Sequence, residues 1–284
     1  MILQALCFLY LFLLGGCLAS FLQVVAQRAA TPGAPPCYRG RSHCDACGVT
    51  LTARDLVPVF SWLLARGRCR HCGVRLSPAY PVVETIGGLG AALCGFALWP
   101  NLPGILVGLA AGALLLLIAV YDAYTMEMPD LYTLLLCLPA LAAWWAFPQV
   151  GFMPRLIGAA CVSLPLLIIA LLLPGAFGGG DVQLMAVCGF MLGWQGCLVA
   201  FFIALLIGGA QGVFLLAPGR AKRGEKAQMP FGPALCAGSF LSLLYGPQLL
   251  SWYLGLFVFC PQHKKEAFPL CLYTTTRAKT CAAS

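Results

Sequence analysis

Long apolar runs separated by short polar breaks set the organisation of this chain. Runs near the roughly 20 residues that a helix needs to cross a bilayer fall at 2–24, 81–99, 103–121, 130–147, 155–173, 181–194, 196–217 and 232–259. Between Val182 and Ala217 the apolar character is nearly continuous, interrupted only at Gly193-Trp194-Gln195-Gly196, so a seven-span alternative to the eight stays open. One sizeable region is polar, 25–80. The pattern predicts an all-α polytopic transmembrane bundle of about eight spans with a small cytoplasmic zinc-binding loop domain. Its division is a first transmembrane helix (1–24), the loop region (25–80), a membrane core (81–259) and a tail of unassigned structure (260–284).

Composition agrees: 61% of residues are hydrophobic and 9% charged, with a mean hydropathy of +0.90, outside the range of soluble domains. The formal charge of +8 resides largely in loops. Arg28, Arg39, Arg41, Arg54, Arg66, Arg68, Arg70 and Arg75 follow the first run, which by the positive-inside rule places that loop in the cytoplasm. Counting spans from there puts the loop with Arg220, Lys222, Arg223 and Lys226 on the same side. The tail, with Lys264, Lys265, Arg277 and Lys279, falls on the other side against the rule. No basic helix alternates with aromatic platforms, so nucleic acid is not an expected partner.

The loop region carries Cys44-Asp45-Ala46-Cys47 and Cys69-Arg70-His71-Cys72. Two C-x2-C knuckles supply four thiolates, enough to close a tetrahedron around a structural zinc. Gly48 and Gly73 each follow a second cysteine, where a tight turn favours glycine. Disulfides are rare in a reducing compartment, and His43 and His71 read as ordinary loop histidines beside four cysteines. Zinc would supply on the order of 10 kcal/mol of folding free energy to a loop with little core. The other cysteines lie in apolar segments or the tail and carry no expected chemistry.

From Leu76 to Gly219 the chain has one basic residue, Arg155, against Glu84, Asp122, Glu127, Asp130 and Asp181. Carboxylates at membrane depth are costly and mark functional sites by default. Asp122 ends the third span as it reaches the cytoplasmic face, and Asp181, after Gly178-Gly179-Gly180, opens the sixth as it leaves that face. Two close carboxylates share a proton, the arrangement of aspartyl proteases. Asp181 has a structural alternative as a helix cap. Asp122 does not, because a carboxylate at a helix C-terminus faces the negative end of the dipole. Asp130 after Pro129 fits a first-turn acid, Glu127 a solvated loop, and Glu84 either a helix start or a site lining. Other catalytic layouts are absent: there is no H-E-x-x-H, G-x-S-x-G or Walker lysine, and three histidines in all.

These residues resemble the bacterial type IV prepilin peptidases, membrane aspartyl proteases of the GxGD class. The likeness runs from Gly15 to about Leu244. Ala19-Ser20-Phe21-Leu22-Gln23-Val24-Val25 is similar to the family's G-S-F-L-N-V-V helix end, with Ala and Gln as departures. The cysteine pairs with Phe60-Ser61-Trp62-Leu63 and Ser77-Pro78-Ala79-Tyr80-Pro81 resemble its zinc-binding region. Asp122 with Pro129-Asp130 resembles its D-x6-P-D stretch, Gly178-Gly179-Gly180-Asp181 its G-x-G-D, and Phe231-Gly232-Pro233 its F-G-P.

The resemblance implies catalytic Asp122 and Asp181 and a structural zinc on Cys44, Cys47, Cys69 and Cys72. It implies a multi-pass protein of the inner (cytoplasmic) membrane that cleaves the short basic leader of prepilins and pseudopilins after Gly, at the cytoplasmic face. Many members then N-methylate the new N-terminus with S-adenosylmethionine; no residue here is tied to the methyl donor. The competing functions are a proton-coupled transporter and a non-catalytic assembly component of a pilus or secretion system.

Overall fold

A computed structural model describes residues 2–31, 33, 42–44, 46–173, 178–216 and 230–257. The tail, the basic loop at 217–229, Asp45 and Phe177 lie outside the described residues. Nine α-helices are seen among the described residues: α1 (Ile2–Ala30), α2 (Phe60–Leu64), α3 (Ala79–Ala97), α4 (Leu102–Thr125), α5 (Asp130–Ala146), α6 (Phe152–Cys161), α7 (Ser163–Leu172), α8 (Gly179–Leu216) and α9 (Gly232–Phe257). Strand character is confined there to two isolated bridges, His43 with Thr50 and Arg68 with Arg75.

Among the described residues, six helical stretches are long and apolar enough to cross a membrane: Leu6–Ala30, Ala79–Ala97, Leu102–Thr125, Phe152–Leu172, Gly179–Phe214 and Gly232–Gly255. The protein is therefore a multi-pass membrane protein. α6 and α7 make one passage, bent at Val162. α5, with 17 residues, reaches ~25 Å and is a short seventh stretch.

α8 resolves the ambiguity between the sixth and seventh runs. Gly193 has φ 75°, ψ 170°, a backbone region that is essentially glycine's alone. A Cβ placed on Gly180, at the start of α8, would meet Met128, and one on Gly232 would meet Met128 too, while a Cβ on Gly208 would meet Phe231 and Ala234. The start of α8 and Gly208, about two turns before its end, therefore both lie beside the start of α9, and the chain reverses at Gly193. With 179–192 and 194–216 counted separately and α5 included, the described residues hold eight apolar helical stretches.

The first helix outruns its apolar signal, ending at Ala30 rather than near 24. Gln27 explains the extension: its Nε2 donates to the hydroxyls of Tyr124 at 2.8 Å and Tyr80 at 3.3 Å, tying α1, α3 and α4 together at the end of the bundle that carries the loop domain, here the near end.

The opposite, far end is built from caps. Asn101 accepts from Gly104 N at 3.0 Å, opening α4, and its Nδ2 donates to Ala146 O at 2.8 Å, closing α5. Arg155, fully buried, spends all five N–H donors on carbonyls: Nε on Val150, Nη1 on Phe190 and Met191, Nη2 on Ala143 and Phe147. Its guanidinium also stands 5.9 Å from the Trp144 ring centroid. This cation neutralises the negative ends of α5 and of 179–192 and needs no carboxylate partner.

Between the two ends, fully buried Leu115, Ile118, Leu136, Leu184, Met185 and Leu235 form the core of α4, α5, α8 and α9. Small residues let backbones touch, as membrane helices require. A Cβ on Gly15 of α1 would sit 2.5 Å from Ala91 Cβ on α3, and one on Gly158 would collide with the Gly189 carbonyl.

Candidate active site and metal centre

Asp122 stands in the last turn of α4, 4% exposed, and Asp181 in the first turn of α8, 8% exposed. Both lie at the near end. α4 stops because Met126 adopts the left-handed conformation, φ 57°, with its N–H on Asp122 O at 2.8 Å. The chain turns through Met128 into α5, and Met128 contacts the positions where Cβ atoms of Gly180 and Gly232 would be. Met128 thus fills the space between the starts of α8 and α9.

Each carboxylate is held by one backbone amide. Gly232 N donates to Asp122 Oδ2 at 3.1 Å, so the first turn of α9 turns its positive dipole end toward an acid that its own helix disfavours. Gly178 N donates to Asp181 Oδ2 at 3.2 Å, half of a capping box. Asp181 therefore does cap its helix, using one oxygen. The two acids are linked through Met128 and the start of α9: Met128 meets the Cβ positions of Gly180, beside Asp181, and of Gly232, whose amide holds Asp122.

Other acids are placed elsewhere. Asp130 is exposed in the first turn of α5, after Pro129, and Glu127 is exposed in the α4–α5 turn. Glu84 is buried, its Oε2 accepting from Val59 N at 2.7 Å. It thus ties α3 to the loop domain, the contact that neither sequence option for it contained. Sequence reasoning also missed Gly232 and Met128 as site residues. The Phe231-Gly232-Pro233 stretch at a helix start was the available signal for Gly232, and nothing marked Met128.

In the loop domain the two knuckles fold alike. Cys44 N donates to Val49 O and Gly48 N to Cys44 O, matched by Cys69 N to Val74 O and Gly73 N to Cys69 O, all between 2.8 and 3.0 Å. Gly48 and Gly73 take φ of 70° and 71°. The sulfurs of Cys44, Cys47, Cys69 and Cys72 lie within 4.8 Å of one another, and those of Cys44 and Cys72 are 3.9 Å apart. Four thiolates around an ion at ~2.3 Å would have sulfurs roughly 3.8 Å apart, so the set fits a metal ion. Backbone N–H groups of Cys72 and His71 hold the Cys69 thiol down at about 6, while burial and the neighbouring sulfurs push Cys72 up to about 11. Neither His43 nor His71 belongs to the cluster. Asp55, its carboxyl lowered first by the Thr52 hydroxyl, pairs with Arg70 at 3.4 Å.

Comparison with known proteins meets this geometry at both centres. Residues 13–98 match the family model described as the bacterial peptidase A24 N-terminal domain, and residues 109–213 match that of the type IV leader peptidase family. A prepilin leader peptidase/N-methyltransferase of Bacillus subtilis (strain 168) is 36% identical over 217 residues, 76% of this chain and 86% of that protein. The chain belongs to the type IV leader peptidase family. Proteins of the same description from Aeromonas hydrophila (32% over 227 residues; 77% of this chain, 76% of that protein) and Burkholderia pseudomallei (strain K96243) (34% over 239 residues; 81% and 76%) are also similar. No solved structure matches. The A24 N-terminal match takes in all four clustered cysteines, and the leader peptidase match takes in Asp122 and Asp181. Gly232 lies beyond both matches.

Proposed function

We propose that this chain is an aspartyl endopeptidase of the cytoplasmic (inner) membrane that removes the short basic leader of prepilins and pseudopilins after Gly. The observation that supports the reading is that Asp122 and Asp181, fifty-nine residues apart in sequence, are buried acids at the same end of the bundle, each steadied by a glycine N–H. In the ionised form one carboxylate accepts a proton from the water that attacks the scissile carbonyl. The other, protonated, donates to the carbonyl oxygen; the proton taken from water then passes to the departing amine, and the collapsing gem-diol returns its hydroxyl proton to the second carboxylate.

The substrate approaches laterally. Its apolar helix stays in the bilayer and its basic leader in the cytoplasm, which brings the scissile bond to the level of the two acids. Cys44, Cys47, Cys69 and Cys72 hold a structural zinc, whose full coordination leaves no position for a reacting water. N-methylation of the new N-terminus with S-adenosylmethionine completes the activity; it is supported by the names of the relatives.

The test is to incubate the purified full chain with a prepilin in detergent and weigh the products. A loss equal to the leader reports proteolysis, and a further gain of one methyl group reports the second step. Asp122→Asn and Asp181→Asn should each abolish the first change while keeping the metal. If either variant cleaves normally, the dyad assignment is wrong.

A further inference from the structure

The segment linking the two knuckles does not stand in water above the bundle. Pro58 packs against α1 at Gly16, where a Cβ would lie 3.1 Å from the proline's Cβ, and Val59 N is bonded to Glu84 of α3. Gln27, Tyr80 and Tyr124 mark one level at the near end. Gly16 lies eleven residues from Gln27, ~16 Å along α1, and Glu84 four residues from Tyr80, ~6 Å along α3. Both displacements run toward the membrane interior. Residues 58 and 59 are therefore sunk below that level, alongside helices that cross the bilayer.

What they carry outward is apolar. Leu56, Val57, Phe60, Leu63 and Leu64 are 45%, 41%, 49%, 56% and 77% exposed, five large hydrophobic side chains within nine residues. Beside them Arg54, Arg66, Arg68, Arg70 and Arg75 are exposed, against a single acid, Asp55, in residues 46–78. Val59, a β-branched residue, is held at φ 62°, a costly conformation, by the buried Glu84 carboxylate on its amide. The fold keeps the dip in place against that strain.

We infer that residues 56–64 form a monotopic wedge in the near-side leaflet. Leu56, Val57, Phe60, Leu63 and Leu64 lie among acyl chains, and Arg66 and Arg68 hold the phosphates of anionic phospholipid. The charge selects this occupant: a second copy of the face, or a basic peptide, would be repelled by the arginines, whereas apolar residues flanked by arginine match an anionic interface.

The experiment places the photoreactive residue p-benzoylphenylalanine at Leu64 in the full chain. A second variant carries it at Leu171, a 73%-exposed position on a spanning helix, as the lipid-facing standard. Both are reconstituted in vesicles of phosphatidylcholine and phosphatidylglycerol in equal parts, irradiated, and analysed by mass spectrometry. The expected result is phospholipid adducts at 64 in a yield like that at 171. Position 64 alone should favour phosphatidylglycerol, by about fivefold for one well-placed arginine, and Arg66→Gln with Arg68→Gln should erase the preference. Leu64 is mostly exposed, so its replacement leaves packing intact, and metal content checks the fold. Labelling at 171 with none at 64 overturns the wedge, and adducts at 64 without lipid preference overturn the headgroup assignment.

Discussion

Gly232→Ala is the sharpest probe of the site, because it adds one methyl group and removes no chemical group. The new Cβ would lie 2.5 Å from Asp122 Oδ2 and collide with Met128 Cε. A carbon and an oxygen need more than 3 Å, so the start of α9 and the carboxylate must part by roughly 0.5–1 Å, lengthening the 3.1 Å bond from Gly232 N. A charge-assisted bond of this kind is worth about 1.5–3 kcal/mol, and a displacement near 1 Å at a reacting group costs ~100-fold in rate. Overpacking adds about 1–3 kcal/mol of destabilisation. The expected outcome is a roughly 100-fold lower kcat for prepilin cleavage with little change in KM. Gly209→Ala, where a Cβ meets nothing, should behave as wild type. Adding Met128→Ala should restore stability in part but not rate, since the clash with Asp122 stays. Cleavage by Gly232→Ala within threefold of wild type would falsify the role given to this amide.

Three further outcomes follow from other parts of the molecule. Asp122→Asn and Asp181→Asn should each lower cleavage by ~1,000-fold or more without altering metal content, measured by product mass and elemental analysis. Arg155→Met leaves the carbonyls of Ala143, Phe147, Val150, Phe190 and Met191 without their donor and should cost about 3 kcal/mol or more, read as a lower melting temperature in detergent. Cys44→Ser or a strong chelator should release the metal and open residues 42–78 to protease while the spanning helices stay protected, because binding energy in such domains is folding energy.

How much of this was legible in the sequence depended on whether the partner was a residue type or a backbone group. Apolar run length placed most of the spans, and cysteine spacing brought four sulfurs together, because side-chain identity alone carries those signals. Arg155 stood out as a lone cation, but its partners are five carbonyls, groups that every residue owns, so its role could not be read from letters. Glu84 looked like a helix-start acid because its donor, the amide of Val59, sits 25 residues earlier in a loop. Gly193 was visible as a break in an apolar run, whereas the reversal itself needed the contacts of Gly180 and Gly208 at one end of α9. The helix end at Ala30 was missed because the tyrosine hydroxyls that prolong α1 lie on two other helices.

The stretch 179–192 is only fourteen residues long, ~21 Å of helix against a hydrocarbon slab of ~30 Å. Trp194 and Gln195, exposed at its foot, are residues suited to the polar boundary of a bilayer. Lipid beside this hairpin has to pinch inward by several ångströms to meet them. Vesicles of longer-chain lipid should therefore slow turnover by tugging at the helix that begins with Asp181, which makes bilayer thickness a control on this protein.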